Sequence, residues 1–496
     1  MKYVSTRSSR SEQTDGKKSA AQAIIKGIAE DRGLFVPEIM PRMLEKTSAL
    51  KGRNYKEVAY QVLSRYLTDY TETELRQCIN SAYDQKFEAA EVAPLVKAGD
   101  VYFLELFHGR TAAFKDMALS ILPRLLTTAL KKENESDRIA ILTATSGDTG
   151  KAALEGFAGV ENTEIIVFYP HVGVSQVQQR QMTTQEGGNT HVFGIRGNFD
   201  DAQAAVKKIF NDTSLAAVLK EKGWQFSSAN SINIGRLIPQ VTYYVWAYVK
   251  LLEQGTLLPG DLMNVVVPTG NFGNILAAYY ARELGIPVGK FICASNRNKV
   301  LTEFINTGVY DIRREFHITS SPSMDILVSS NLERLLYHLS GSDGEQVASL
   351  MKALEEEKHY RAGDDIRVGL TDFYAGFATE EETSEAIRIM YQDHRYLMDP
   401  HTAVGYKVYA DYLSTTGDAT PTVIAATASA YKFADSVAAA IGLPKSADGF
   451  EAIQALHKAT GVRIPSGLKG LEKKEIRHQE VLEKDEIADA VMQSLR

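Results

Sequence analysis

The sequence predicts an α/β protein with two lobes of parallel β-sheet, preceded by a small helical region. Three observations carry this. Short, almost wholly apolar runs alternate with helical patterns, which is how strands buried on both faces read. These runs fall into two clusters, one near 138–210 and one near 264–295 that is rejoined at 422–441. Upstream of about residue 90 the apolar period is helical instead.

Along that first stretch, Ala20, Ile24 and Ile28 share one helical face that ends at Gly33, and Val58, Val62 and Tyr66 repeat the pattern. Thr71 and Glu74 form a capping box ahead of Leu75, Cys78, Ile79 and Ala82. Strands are then expected at VYFLEL (101–106), RIAILT (138–143), EIIVFYP (164–170) and HVFGI (191–195), with a helix over 200–210. NVVVP (264–268) and FICAS (291–295) flank a glycine turn and the helix ILAAYYARE, and TVIAAT (422–427) precedes a helix near 432–441. The expected organisation is a helical domain over 1–90, a two-lobed region over 91–465 and a charged, solvated helix or tail over 466–496. The smaller lobe is expected at about 120–215, the larger from the remainder, with a charged helical insertion at about 345–395.

At roughly 150 residues per domain, 496 residues suggest about three units. With 55 Lys plus Arg against 62 Asp plus Glu, the formal charge is −7, which is not the footprint of a nucleic-acid binder. An anionic substrate would need local positive charge. The two cysteines, Cys78 and Cys293, rule out a disulfide framework and have no metal-ligand spacing. No apolar leader core and no window of about 18 apolar residues is visible, so the expectation is a cytoplasmic protein without membrane, nucleic-acid or metal partners.

In open α/β sheets ligands bind beyond the carboxyl ends of strands. Four loops occupy such places. FHGRTAAFKD (107–116) holds Lys115, which reads either as a lysine activated by an apolar setting or as a surface lysine at a helix start. TSGDTG (145–150) is an anion site at a helix N-terminus or a polar turn; it fails the Walker pattern at Thr145 and Ala152. TGNFGN (269–274) allows close backbone approach at Gly270 and Gly273, or is a tight turn. SSANSINIGR (227–236) gathers amide and hydroxyl donors with Arg236, as a phosphate site or as a polar loop. A dinucleotide glycine fingerprint, H-E-x-x-H, C-x-x-C and G-x-S-x-G are all absent, which weakens nicotinamide, metal and triad chemistries.

As a set and in this order, these loops resemble the threonine synthases, pyridoxal-phosphate enzymes of the tryptophan-synthase β (fold type II) superfamily. The likeness runs from KYVSTR and GIAEDRGLFVP (27–37) through SNLERLLY (330–337) to ATASAYKFADSV (426–437). It implies pyridoxal 5'-phosphate as cofactor, held as a Schiff base by Lys115. It implies that Gly270, Asn271, Phe272, Gly273 and Asn274 cradle the cofactor phosphate, and that Thr427 faces the pyridine nitrogen. Ser146, Gly147, Asp148 and Thr149 would then hold the substrate carboxylate, and Asn230, Ser231 and Arg236 the substrate phosphate. The implied reaction is the last step of threonine biosynthesis: O-phospho-L-homoserine and water give L-threonine and phosphate by γ-elimination and β-addition. Lys115 would move the protons, in a monomer or homodimer. A phospho-lyase or dehydratase releasing 2-oxobutyrate, or an inactive binding homologue, are the alternatives. Arg110, where proline is usual, and Ser429, Ala430 and Tyr431, where His-Pro-Ala is usual, depart from the family pattern.

Overall fold

The computed structural model describes the chain apart from residues 10–15, 44–45, 146, 172–173, 198 and 496. Its strands, in chain order, are β1 (Tyr3–Ser5), β2 (Phe35–Pro37), β3 (Leu95–Ala98), β4 (Val101–Glu105), β5 (Arg138–Ala144), β6 (Thr163–Pro170), β7 (Thr190–Ile195) and β8 (Trp224–Ser227). There follow β9 (Met263–Pro268), β10 (Val288–Ser295), β11 (Val309–Asp311), β12 (His359–Arg361), β13 (Phe373–Phe377), β14 (Thr422–Ala426) and β15 (Val481–Leu482).

Two sheets carry the architecture. The larger has the order β13-β10-β9-β14-β4-β3 and is parallel except for the β3–β4 pair. The smaller, β15-β7-β6-β5-β8, is parallel throughout. This is the expected pair of α/β lobes. The strand β9, MNVVVP, is buried at every position, which suits a run of β-branched residues covered on both faces. Strand β14 pairs with β9 on one side and β4 on the other, so a segment some three hundred residues after β4 returns to the middle of the sheet.

The first 90 residues are mostly helical, with Asn54–Glu57 and Thr71–Glu74 capping boxes starting the helices Tyr55–Tyr66 and Glu72–Ala82. The segment also forms the antiparallel pair β1–β2, which the helical period hid because each strand is only three residues long. Its apolar face does not close on itself. Val58, Val62 and Tyr66 belong to the same core as the helix Ile234–Glu253, and the Trp246 indole N–H donates to the Ala93 carbonyl at 2.7 Å.

The stretch 345–395 contains the helices Gly344–Glu357, Asp364–Leu370 and Glu380–His394, but it also supplies β13, the edge strand of the larger sheet. FYAGF is short and lies between charged helices, so its alternation is hard to see. Likewise β8 extends the smaller sheet beyond residue 215. The C-terminal tail corrects the expectation of a solvated helix. Strand β15 adds an edge to the smaller sheet beside β7, and the helix Ile487–Ser494 buries Ile487, Ala490 and Val491 against it. The dense charges of 472–489 masked an apolar stripe at helical spacing. Among the described residues, no helix is long and apolar enough to cross a membrane.

Candidate active site

Adjacency in the larger sheet assembles half of the site. The loops after β4, β14 and β9 emerge side by side at the carboxyl edge, carrying Lys115, Thr427 and Gly270–Asn274 respectively. The loops after β5 and β8 in the smaller sheet bring Asp148 and Arg236 toward them.

Lys115 stands at the N-cap of the short helix Asp116–Leu119, its side chain only 11% exposed. Its ammonium donates to Ser323 Oγ at 3.2 Å and lies 3.7 Å from Asp148 Oδ2. Burial is the main force on it. Against the pull of Asp148, and with Arg236 and Lys432 adding repulsion, the amine is brought down to about 8. The following residue, Asp116, accepts from the Thr111 N–H at 2.8 Å and the Thr111 hydroxyl at 2.7 Å, and burial raises its carboxyl to about 6.

Asp148 opens the helix Asp148–Phe157. Lys432 Nζ, fully buried, lies 2.6 Å from Asp148 Oδ1, and Gln178 donates to the same oxygen at 2.9 Å. Burial alone would raise the Asp148 carboxyl, but Lys432 and Lys115 hold it well below the usual carboxylate range. A carboxylate so engaged cannot itself bind a substrate carboxylate; within this loop only backbone and hydroxyl donors could. Thr145 organises that backbone, its hydroxyl accepting from the N–H groups of Gly147 at 3.0 Å and Gly150 at 2.9 Å. Gly147 has φ 141°, and a Cβ there would stand 2.6 Å from the Gln178 amide. Thr149 is half-buried beside it, and Ser146 lies outside the described residues.

The glycine loop enters the helix Gly273–Leu284 through Phe272, which is left-handed at φ 62° with its ring buried. Asn271 O accepts from the Asn331 side chain at 2.8 Å. Asn274 Oδ1 accepts from the hydroxyls of Tyr243, at 2.8 Å, and Tyr244, while its buried Nδ2 has no partner among the described residues. A Cβ at Gly273 would meet the Asn331 amide at 3.5 Å and Ser231 at 3.7 Å, ordinary van der Waals contact. Thr427 is buried, and its carbonyl accepts from the Phe114 N–H at 2.7 Å, which ties the loop after β14 to the lysine loop.

Arg236 is the outlying charge. It is 5% exposed, donates from Nη1 to the Ala229 carbonyl at 2.8 Å, and has a buried Nε without a partner among the described residues. Among the described residues no carboxylate pairs with it, and burial brings it down to about 10. Ser231 Oγ accepts from Asn331 Nδ2 at 3.0 Å, and Asn230 is half-buried next to it.

Of the departures, Arg110 turns outward, 55% exposed and 3.6 Å from Glu155. Ser429 and Tyr431 are buried and structural: the Ser429 N–H donates to Ala112 O at 3.0 Å, and the Tyr431 hydroxyl donates to Val462 O. Ser323, Lys432 and His401 were not legible as site residues. A Ser-rich loop without periodicity holds the first, and the other two are single polar residues at helix starts.

Residues 2–83 match the family model of the threonine synthase N terminus, 86–428 that of the pyridoxal-phosphate dependent enzymes, and 402–492 that of the threonine synthase C-terminal region. The chain is 41% identical over 456 residues to threonine synthase-like 1 of Homo sapiens; the match covers 88% of this chain but 60% of that protein, so the chain spans less than two thirds of its length. It is 38% identical over 444 residues to threonine synthase of Pseudomonas aeruginosa, covering 88% and 90%. Its fold superposes on the pyridoxal-phosphate-bound threonine synthase from Brucella melitensis with a TM-score of 0.88 at 36% identity, over the whole of both chains.

Proposed function

The chain belongs to the threonine synthase family of pyridoxal-phosphate-dependent enzymes, and from that premise we propose that it converts O-phospho-L-homoserine and water into L-threonine and phosphate. The observation that carries the substrate is Arg236: a buried guanidinium close enough to Lys115 to act on its charge, with an Nε that has no partner and no carboxylate pairing with it among the described residues. A cation left uncompensated by the protein suits an anionic ligand group, and a planar donor fork suits phosphate.

The residues present fit the cofactor. A buried lysine stands where an aldehyde would be captured, and the orphan Asn274 amide marks a helix N-terminus suited to phosphate. We assign Lys115 to the aldehyde, Gly270, Asn271, Phe272, Gly273 and Asn274 to the cofactor phosphate, and the Thr427 hydroxyl to the ring nitrogen. A hydroxyl there leaves that nitrogen without a compensating charge, so the placement of surrounding groups steers the reaction. When bound, the cofactor supplies an electron sink that acidifies hydrogens near the substrate amine.

The chain's own residues do the rest. Lys115 Nζ, brought down to about 8, holds a useful fraction of neutral amine near neutral pH and can take and return protons along the substrate chain. Arg236, with Asn230 and Ser231, binds the phosphate and stabilises its charge as it leaves. The N–H groups of Gly147 to Thr149 orient the substrate carboxylate. The two lobes exclude water until phosphate has departed. A reducing compartment such as the cytoplasm suits two buried, unbridged cysteines.

The test is product analysis of the purified, cofactor-loaded protein with O-phospho-L-homoserine. Threonine released in step with phosphate is the expected result. Phosphate matched by 2-oxobutyrate would leave the family standing and make the reaction a phospho-lyase.

A further inference from the structure

Three contacts converge on Ser323. Its hydroxyl accepts from the Lys115 ammonium at 3.2 Å and donates to Asp148 Oδ2 at 3.3 Å. The ammonium itself pairs with that oxygen only at 3.7 Å, beyond hydrogen-bond range, so the hydroxyl supplies the hydrogen-bonded bridge beside the ion pair. The Ser323 N–H donates to His401 Nε2 at 3.1 Å. A ring nitrogen that accepts there leaves the proton on the other one, and His401 Nδ1 lies 2.7 Å from Asp399 Oδ2. His401 and Asp399 are 3% and 0% exposed, so the ring is held from behind. From the front, the Ser323 carbonyl seats against Gly270, where a Cβ would stand 2.4 Å away.

We propose that Ser323 is a positioning residue for Lys115: its hydroxyl couples the lysine amine to the Asp148–Lys432 pair and sets the amine's proton affinity, and His401, oriented by Asp399, fixes that hydroxyl in place. This rests on Lys115 being the cofactor lysine. The charged groups facing the amine come from three elements: Asp148 from its helix, Lys432 from the turn Ala430–Phe433 and Arg236 from the helix Ile234–Glu253. Burial and both cations favour the neutral amine. Asp148 opposes them, and Lys432 keeps Asp148 ionised so that it can do so. Asp148 attracts the ammonium directly across 3.7 Å, and the Ser323 hydroxyl adds to it by accepting from the ammonium while donating to Asp148, so removing the hydroxyl takes away one of the two influences that favour the charged form.

The experiment strips the cofactor from full-length holoenzyme and follows, by absorbance, the rate of Schiff-base formation with added pyridoxal phosphate as a function of pH. The cofactor's own titration is common to all variants, so differences in midpoint report the lysine. Ser323→Ala is expected to move the midpoint down by about one pH unit. Ser323→Thr, which keeps the hydroxyl, should restore the wild-type midpoint. His401→Leu removes the acceptor of the Ser323 N–H, which frees the residue that carries the hydroxyl, and should shift the midpoint in the same direction, while His401→Gln, which keeps an acceptor, should not. A Ser323→Ala midpoint equal to wild type, with Asp148→Asn lowering it, would overturn the proposal by showing that Asp148 acts without the hydroxyl. A wild-type protein that forms no lysine-linked absorbance would instead remove the reading of Lys115, and this inference with it.

Discussion

At the scale of single residues, the site concentrates charge that the protein leaves unbalanced. Lys115→Ala is expected to abolish both turnover and the lysine-linked cofactor absorbance; a variant that keeps the band would mean another amine carries the cofactor. If Arg236 holds the phosphate as proposed, Arg236→Ala should raise KM for the phosphorylated substrate more than it lowers kcat, measured by steady-state kinetics, because that group is bound before the reaction. Asp116 offers a pH test. Its buried carboxyl sits at about 6, above the free-side-chain value of 3.8, so the folded state binds its proton more tightly than the unfolded state. The cost of ionising it is absent below about pH 4 and complete above about pH 6. Asp116→Asn, which can still bond Thr111, should therefore stabilise the protein by as much as about 3 kcal/mol above pH 6 and by almost nothing at pH 4, read from urea midpoints. At this scale the sequence was legible where chemistry has a motif. Lys115, the glycine loop and Arg236 stood out in their loops, whereas Ser323, Lys432 and His401 acquire meaning only when distant segments meet.

At the scale of elements, the loops after β4, β14 and β9 work as one unit because their strands are neighbours. Gly270 shows how little slack that unit has. Gly270→Ala drives a methyl group toward the Ser323 carbonyl, 2.4 Å away, at an overpacking cost of about 1–3 kcal/mol. The lysine contact moves with the displaced loop, so kcat should fall by about a hundredfold; wild-type kcat would show that the two loops move independently. Long, buried strands such as β5, β6 and β9 were readable within a residue or two, because β-branched runs covered on both faces have a strong pattern. The edge strands β3, β13 and β15 were not. They are short and partly exposed, and charged residues follow closely, so neither length nor alternation marks them.

At the scale of the whole molecule, the chain's two ends brace its two lobes. Near the start, Arg7 pairs with Glu333 at 2.8 Å, and the neighbouring Arg334 donates to the carbonyls of Phe35, at 3.0 Å, and Ser231, at 3.4 Å, so the N-terminal region is tied to the walls of the site. Near the finish, β15 and the helix Ile487–Ser494 cover the smaller sheet. Deleting residues 475–496 uncovers the positions met by Leu482, Ile487, Val491 and Leu495, a loss of the order of 5 kcal/mol. The truncated protein should lose its smaller-lobe transition first in a urea titration. An unchanged transition would mean the tail only decorates the sheet.

That late strand also orders events in time. The other four strands of the smaller sheet lie between Arg138 and Ser227, yet the β7 edge finds its partner only when Val481 and Leu482 have been made. On the ribosome, the half-built lobe must wait while residues 196–480 are made, with a row of backbone donors and acceptors unclaimed. The nascent chain is thus open to pairing with another copy until β15 has been made.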